Sequence, residues 1–262
     1  MLRALHSAAS GMQALQLNID NIAHNLANTN TIGFKQRKTQ FQDLFYQTLI
    51  SPGANASTAT EVPTGLQIGL GTRAVSNEVI FLQGDYVATQ NPLDLVIEGR
   101  GFFQVRLPDG QIGYSRAGNF HLDRQGNVVT ASGDPLDPQV SIPLEATDLS
   151  VASDGTVTVR LPNQPNAQEV GRIQLASFAN PAGLNSIGKN LFLPTAATGD
   201  PVTGNPGENG VGSILQGSLE QSNVNIIEEM VNLIVSQRAY ESGSRVIRAA
   251  DEMYQQVNNL AR

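Results

Sequence analysis

The sequence predicts a mixed α and β protein, in which long N- and C-terminal helices pair as a coiled-coil arm beside a central β-rich domain. At both chain ends apolar residues recur every three or four positions, the period of an amphipathic helix. Between the ends the apolar period changes to two, the period of half-buried strands. These patterns predict four segments: an N-terminal coiled-coil helix (1–34), an extended linker with an insert (35–77), a β-rich domain (78–218) and a C-terminal coiled-coil helix (219–262).

The N-terminal helix is predicted over residues 3–28 by an apolar seam with the spacing of three heptads. The seam consists of Leu5, Ala8, Met12, Leu15, Ile19, Ile22 and Leu26. The other faces carry Asn and Gln amides, and Asp20 is the only Asp, Glu, Lys or Arg between Arg3 and Lys35. Because an exposed coiled coil normally carries Glu and Lys beside its seam, we expect protein on several sides of this helix. An ordinary amphipathic core helix is the alternative.

The C-terminal helix is predicted over residues 226–261. Asn225 followed by Glu228 is a helix-start signal, and acidic residues suit the positive end of the helix dipole. An apolar stripe at helical spacing follows, with Ile227, Val231, Val235, Ala239, Ser242, Val246, Ala250, Met253, Val257 and Leu260. A helix of this length does not fit inside a compact domain of this size, so we expect it to pair with the N-terminal helix.

The central domain is predicted to form strands because apolar and polar residues alternate in it, as at Leu93, Leu95 and Ile97. Asp-Gly and Gly-Asn turn signals divide part of it into three hairpins, over 102–116, 120–130 and 149–161. Ahead of this domain, the Pro- and Gly-rich stretch 51–73 is predicted to be extended or looped.

The sequence carries no pattern that requires catalysis, a cofactor or a metal. The absence of cysteine excludes thiol catalysis and thiolate metal sites. His6, His24 and His121 lack the spacing of metal ligands. Asp134 and Asp137 straddle a proline and are more simply read as turn residues than as an acid–base pair.

Composition limits the partners. Charged residues make up 15% of the chain, which favours a surface covered by other subunits. The net charge of −7 argues against nucleic acid, and the one basic cluster, Lys35, Arg37 and Lys38, is short. No apolar run approaches the roughly 20 residues of a membrane span. Since the N-terminus lacks a compact apolar stretch with a cleavage site, we expect either a cytoplasmic protein or export without a cleaved signal peptide.

Two motifs lie at opposite ends of the chain. The first occupies residues 25–35, and the second occupies 222–225, 228–230 and 237–241. Together they resemble the signatures of the bacterial flagellar rod and hook axial protein family. The matching positions of the first motif are Asn28, Thr31, Gly33, Phe34 and Lys35. Residues 99–105 and 119–123 are similar to shared segments of the family's β domain, so the resemblance covers essentially the whole chain.

A further stretch resembles the insert that distinguishes distal rod members of this family. It comprises residues 46–49 and 63–73, and the rod-specific insert residues are Tyr46, Pro63, Gly65, Leu66, Gly69 and Gly71. A proximal rod paralogue of similar size is the alternative, and it would be expected to lack the insert.

The resemblance implies a structural subunit that self-assembles helically into the rigid distal rod of the flagellar basal body, the shaft that transmits torque from motor to hook. It implies terminal helices lining an inner tube, with the β domain outside. The implied assembly-interface residues are Leu5, Met12, Leu15, Ile19, Ile22, Leu26, Asn28, Thr31, Gly33, Phe34, Ile227, Val231, Val235, Val246, Met253 and Val257.

The implied partners are further copies of the chain, proximal rod proteins, hook or hook-junction proteins, the surrounding P- and L-ring proteins and the type III export apparatus. The implied location is the rod that spans the periplasm, with no nucleic acid bound and no membrane embedding. Two alternatives stay open. One is a stalked extracellular binding module, which a pocket of grouped aromatic residues would favour, although Phe102, Phe103, Tyr114 and Phe120 are more typical of core residues. The other is an enzyme acting on cell-wall glycan through Asp134 or Asp137.

Overall fold

The computed structural model describes residues 2–53, 55–57, 60–61, 63–162, 166–208 and 210–260. The chain forms two compact units. Unit 1 consists of residues 1–27, 37–78 and 225–262, and unit 2 consists of residues 28–36 and 79–224. Each unit therefore combines segments from distant parts of the chain. The prediction of a mixed α and β protein with a β-rich centre is confirmed.

Unit 1 contains the two long helices, α1 (Leu2–Ala27) and α2 (Ile226–Leu260), close to their predicted bounds. The two helices pack antiparallel. Asn18 of α1 bonds to Ser236 of α2, and Asn25, further along α1, bonds to Glu229, which precedes Ser236 in α2. At the N-terminus of α2, the Asn225 side chain accepts hydrogen bonds from the backbone N–H groups of residues 227 and 228, as a capping residue does.

The face that α2 turns toward α1 differs from the predicted apolar stripe. It carries Glu229, Ser236 and Gly243, and the same seven-residue spacing continues to buried Ala250. These residues are small or polar, and a Cβ added at Gly243 would lie 2.9 Å from Cγ of Met12. Close approach of the two helices therefore selects small side chains at Gly243 and Ala250. Leu233 and Ile247 are half-buried, whereas Ile227, Val231 and Val235 of the predicted stripe are exposed.

The strands of unit 1 lie between residues 37 and 79. β1 (Arg37–Asp43) pairs with β6 (Thr72–Val79), and β2 (Tyr46–Ile50) pairs antiparallel with β5 (Leu66–Gly69). Between β2 and β5 lie two short strands, β3 (Asn55–Ser57) and β4 (Thr60–Glu61). Within the stretch 51–73, predicted to be extended or looped, residues 55–57, 60–61, 66–69 and 72–73 form strands.

Unit 2 contains the remaining strands. Those of its six-stranded sheet are, in spatial order, β17 (Asn185–Gly188), β18 (Leu191–Leu193), β10 (Ile112–Ser115), β9 (Phe102–Arg106), β16 (Leu175–Ser177) and β19 (Val202–Gly204). A three-stranded sheet consists of β13 (Asp148–Val151), β14 (Thr156–Arg160) and β15 (Gln168–Arg172). The pairs are β7 (Tyr86–Ala88) with β21 (Ser218–Glu220), β8 (Leu95–Glu98) with β20 (Ser213–Gln216), and β11 (His121–Leu122) with β12 (Val128–Val129). All three predicted hairpins are present, as β9–β10, β11–β12 and β13–β14.

Two apolar clusters form the core of unit 2. The larger contains Phe103 and Phe120, whose rings meet edge to face at 5.1 Å. The smaller contains Phe102 and Tyr114, which both pack against Phe178. The prediction that Phe102, Phe103, Tyr114 and Phe120 are core residues is therefore confirmed. They present no aromatic surface to a ligand.

Candidate assembly surfaces

The largest apolar surface of α2 faces away from the α1 contact. Ile227 is 75% exposed, Val235 60% and Val231 54%. The other exposed apolar residues of this helix are Ile226, Met230, Ile234, Tyr240, Val246 and Met253. We call Ile227, Val231, Ile234 and Val235 the α2 face. Contiguous apolar exposure of this kind marks an interaction surface.

The interface residues predicted on the two helices differ in burial. On α1, Ile22 is buried, whereas Leu5, Met12, Leu15, Ile19 and Leu26 are half-buried. On α2, the predicted residues Ile227, Val231, Val235, Val246 and Met253 are all exposed. The side chain of Val257 lies outside the described residues. Sequence reasoning missed Leu17, an exposed apolar residue of α1 on a different face from the predicted seam.

The hairpin of β2 and β5 is a second exposed apolar surface. Phe45, just before β2, is 89% exposed, and Tyr46, Leu49, Ile50 and Leu66 are also exposed. The predicted insert covers this hairpin but does not include Phe45.

The predicted insert residues lie along the β2–β5 hairpin and at its base. Pro63 is exposed, and Gly65 lies against Pro52. Gly69 faces the ring of Tyr46, so a Cβ at Gly69 would lie 3.4 Å from it. A hydrogen bond with Asp43 raises the pKa of the Tyr46 hydroxyl. At the base, Gly71 approaches Ser10 of α1 so closely that a Cβ would collide with the Ser10 hydroxyl.

The first family-like motif continues beyond α1 as a tight turn in unit 2. Thr31 N donates to Asn28 O at 3.1 Å, and its hydroxyl donates to Asn28 Oδ1 at 3.2 Å. Gly33 has a φ of +67°, a left-handed conformation that glycine adopts without steric cost, and its N–H donates to Glu220 O at 2.8 Å. A Cβ at Gly33 would lie 2.6 Å from the backbone N of Ala117. Phe34, the next residue, is buried.

The motif ends in a buried cluster of charges. Lys35 Nζ lies 2.6 Å from Glu220 Oε1, and both side chains are fully buried. Arg116 Nη1 lies 3.5 Å from Glu220 Oε2. The backbone completes the cluster, because Lys35 also donates to Leu82 O at 2.7 Å and the Gly84 N–H donates to Glu220 Oε1 at 3.0 Å. Lys35, which the sequence places in a short basic cluster with Arg37 and Lys38, is therefore buried in unit 2.

Burial controls the ionisation of this cluster. Loss of hydration lowers the pKa of Lys35, and the adjacent Glu220 carboxylate opposes that shift. Burial likewise lowers the pKa of Arg116, whose guanidinium lies 5.4 Å from the ring centre of Phe102. The cluster buries two cations and one anion. Removal of any one of these charges therefore leaves the remaining charges less well compensated. The cluster joins residues from both ends of the chain within unit 2.

Little else in the described part of the chain suggests chemistry. A search of the described residues finds no group of His, Asp and Glu placed to hold a metal. None of the described helices is long and apolar enough to cross a bilayer. An open groove of about 380 Å³ lies beside α1 and β6, lined by residues such as Leu17, Asp20 and Asn77.

Three family models match this chain. Residues 5–35 match the flagella basal body rod protein model. Residues 96–159 match the D1 domain of the flagellar hook protein FlgE/F/G, and residues 215–260 match the C-terminal model of the flagellar basal body rod FlgEFG proteins. The first and last matches contain the two motifs found at the chain ends.

Relatives match over the whole chain. The flagellar basal-body rod protein FlgG of Caulobacter vibrioides is 47% identical over 260 residues, covering 99% of each chain. FlgG of Borreliella burgdorferi is 44% identical and FlgG of Bacillus subtilis 38% identical, each covering 100% of both chains. Among solved structures, Helicobacter pylori flagellar hook protein FlgE2 matches 71% of this chain and 43% of its own at 16% identity. Its TM-score of 0.25 is too low for the folds to be compared.

Proposed function

We propose a function from the premise that this chain belongs to the FlgG family of flagellar basal-body rod proteins. It is a structural subunit of the rod and not an enzyme, as the sequence predicted. Within the basal body we assign it to the distal rod, where it assembles helically with further copies into the shaft that transmits torque to the hook. The insert motif supports the distal position over the proximal one.

One observation carries the assembly proposal: the α2 face lies exposed on a helix whose opposite side packs on α1. Full burial of a Val or Ile side chain contributes about 1.5–3 kcal/mol. Covering the α2 face with a neighbouring copy therefore supplies a driving force for association. We propose that α1 and α2 form a coiled-coil arm, completed by neighbouring arms, and that the predicted interface residues of both helices pack there.

The β2–β5 hairpin supports a second contact. Its exposed Phe45, Tyr46 and Leu49 would be covered by an adjacent subunit, which stiffens the assembly. At its two ends such a rod would contact proximal rod proteins and hook or hook-junction proteins, and around it the P- and L-ring proteins. We place it across the periplasm, reached through the flagellar type III export apparatus without a cleaved signal peptide.

The test compares two valines of nearly equal exposure. Val235 of the α2 face is 60% exposed, and Val202 of β19 in unit 2 is 58% exposed. Each is replaced by Glu in a cell lacking its own copy of the gene, and rods are examined by electron microscopy of isolated basal bodies. Val235→Glu should abolish rods because a charge would be buried between subunits, whereas Val202→Glu should leave rods intact.

Thermal unfolding of both purified variants should match that of the parent chain, which separates assembly from folding. Normal rods from Val235→Glu would refute the assignment of the α2 face. Loss of rods from both variants would show that the effect is not specific to α2.

A further inference from the structure

Two asparagines of α1 contact α2 directly. Asn18 Nδ2 donates to Ser236 Oγ at 3.1 Å, and Asn25 Nδ2 donates to Glu229 Oε1 at 3.2 Å. Seven residues separate the two donors, and seven separate the two acceptors. Both hydrogen bonds therefore belong to one antiparallel alignment of the helices.

The asparagine between them points to the strands. Asn21 and Asn77 exchange amide hydrogen bonds at 2.7 and 3.1 Å, and Asn21 also donates to Thr39 Oγ1 at 2.8 Å. Asn25 pairs in addition with the backbone of Arg37, donating to its carbonyl at 2.8 Å and accepting from its N–H at 2.9 Å. The side-chain amides of Asn18, Asn21 and Asn25 are thus hydrogen-bonded within unit 1.

Apolar burial alone does not choose this alignment. The α2 seam repeats every seven residues through Ser236, Gly243 and Ala250, and the α1 seam has heptad spacing too. Sliding one helix by a heptad therefore brings similar surfaces together. One direction of sliding carries Glu229 beyond the end of α1, and the other carries Asn25 beyond the start of α2. Either shift removes a cross-helix partner from a buried polar side chain, which is unfavourable.

We propose that Asn18 and Asn25, through Ser236 and Glu229, determine the register of α1 against α2. An asparagine in a coiled-coil seam has this kind of effect, because it favours one alignment at some expense in stability. The register also fixes the position of the α2 face along the axis of α1. The use of that position in assembly rests on the proposed rod function, whereas the register itself does not.

The absence of cysteine from the chain makes engineered disulfides a clean test. Met12→Cys with Gly243→Cys reports the native register, since these positions touch. Leu5→Cys with Gly243→Cys and Met12→Cys with Ala250→Cys report the two heptad-shifted registers. In the purified full-length chain under mild oxidation, we expect cross-linking of the native pair alone. Equal cross-linking of all three pairs would overturn the proposal.

The decisive variant is Glu229→Leu/Ser236→Ala, which removes the polar partners on α2 and leaves the strand contacts of α1 in place. We expect the ratio of shifted to native cross-links to rise at least about fivefold, the factor that corresponds to one net hydrogen bond. The helical signal should be retained, which shows that both helices remain folded in the variant. The single variant Glu229→Gln keeps an acceptor and leaves Ser236 unchanged. It should give the native cross-linking pattern.

The control is Asn21→Leu, an amide lost from the same helix but facing Asn77 and Thr39. It should lower stability without changing the cross-linking pattern. If Glu229→Leu/Ser236→Ala still gives only the native cross-link, the rest of unit 1 sets the register and the proposal fails. If Asn21→Leu scrambles the pattern equally, the effect is general loosening and the proposal also fails. Rod assembly is not measured, so these outcomes are independent of the proposed function.

Discussion

Replacing Lys35 with Met should strongly destabilise unit 2, because the substitution leaves the carboxylate of Glu220 buried without its nearest cation. Breaking a buried ion pair by removing one partner costs about 3–5 kcal/mol. The lower end of that range applies to Lys35→Met, since Arg116 remains 3.5 Å from Glu220. Glu220→Gln should reach the upper end, because it leaves two buried cations without a counter-charge.

Unfolding of the purified full chain, followed by circular dichroism against temperature and urea, measures these changes. A loss of about 3 kcal/mol lowers the thermal midpoint by roughly 6–12 °C in a domain of this size. The matched control is Arg160→Met, which breaks the exposed Arg160–Asp148 pair at 3.3 Å. An exposed pair contributes only about 0–1 kcal/mol. If Lys35→Met destabilises the chain no more than Arg160→Met, the reasoning about the buried cluster is wrong.

The double variant Lys35→Met/Glu220→Gln supplies a second check. Its loss of unfolding free energy should be smaller than the sum of the losses in the two single variants, since removing Lys35 relieves the repulsion that Glu220→Gln creates.

The pH dependence of stability supplies a third check. Burial lowers the pKa of Lys35 in the folded state, so the unfolded chain binds more protons between that pKa and the ordinary lysine value. The free energy of unfolding should therefore rise with pH across this window. Lys35→Met should lack this rise.

Three further predictions concern single features. Gly33→Ala should cost at least about 1–2 kcal/mol by urea unfolding, from the left-handed backbone and the collision with Ala117, and an unchanged midpoint would contradict it. Hydrogen bonds from Asn127 lower the pKa of Asp123. The contribution of Asp123 to stability is therefore present above the ordinary Asp pKa and is lost as pH falls through the lowered value. Asp123→Asn should flatten that part of an acid unfolding curve, and a curve identical to that of the parent chain would count against this prediction. Limited proteolysis of dilute monomer should leave 28–36 protected together with the β strands of unit 2, and early loss of 28–36 would argue against their place in unit 2.

Local signals account for the parts of the fold that were predicted correctly. The two helices have long uninterrupted periodicity, and Asp-Gly turns fix hairpins such as β9–β10. The partner of Lys35 could not be predicted, because Glu220 lies 185 positions away and no local pattern connects the two. The neutral amides of α1 predicted protein on several sides of the helix, and the structure shows that Asn18, Asn21 and Asn25 bind partners in their own chain.

The packed side of α2 is the most informative departure from the sequence prediction. The stripe containing Ile227, Val231 and Val235 was expected to pair α2 with α1, since apolar surface is normally buried. In the structure the seam to α1 contains Ser236, Gly243 and only Ala250 of the predicted stripe, whereas Ile227, Val231 and Val235 are exposed. A helix in a monomer needs one apolar face, whereas a helix surrounded by copies needs several. The exposed stripe therefore supports the proposal that α2 is buried in an assembly, and the stability of α2 should increase when neighbouring subunits cover the α2 face.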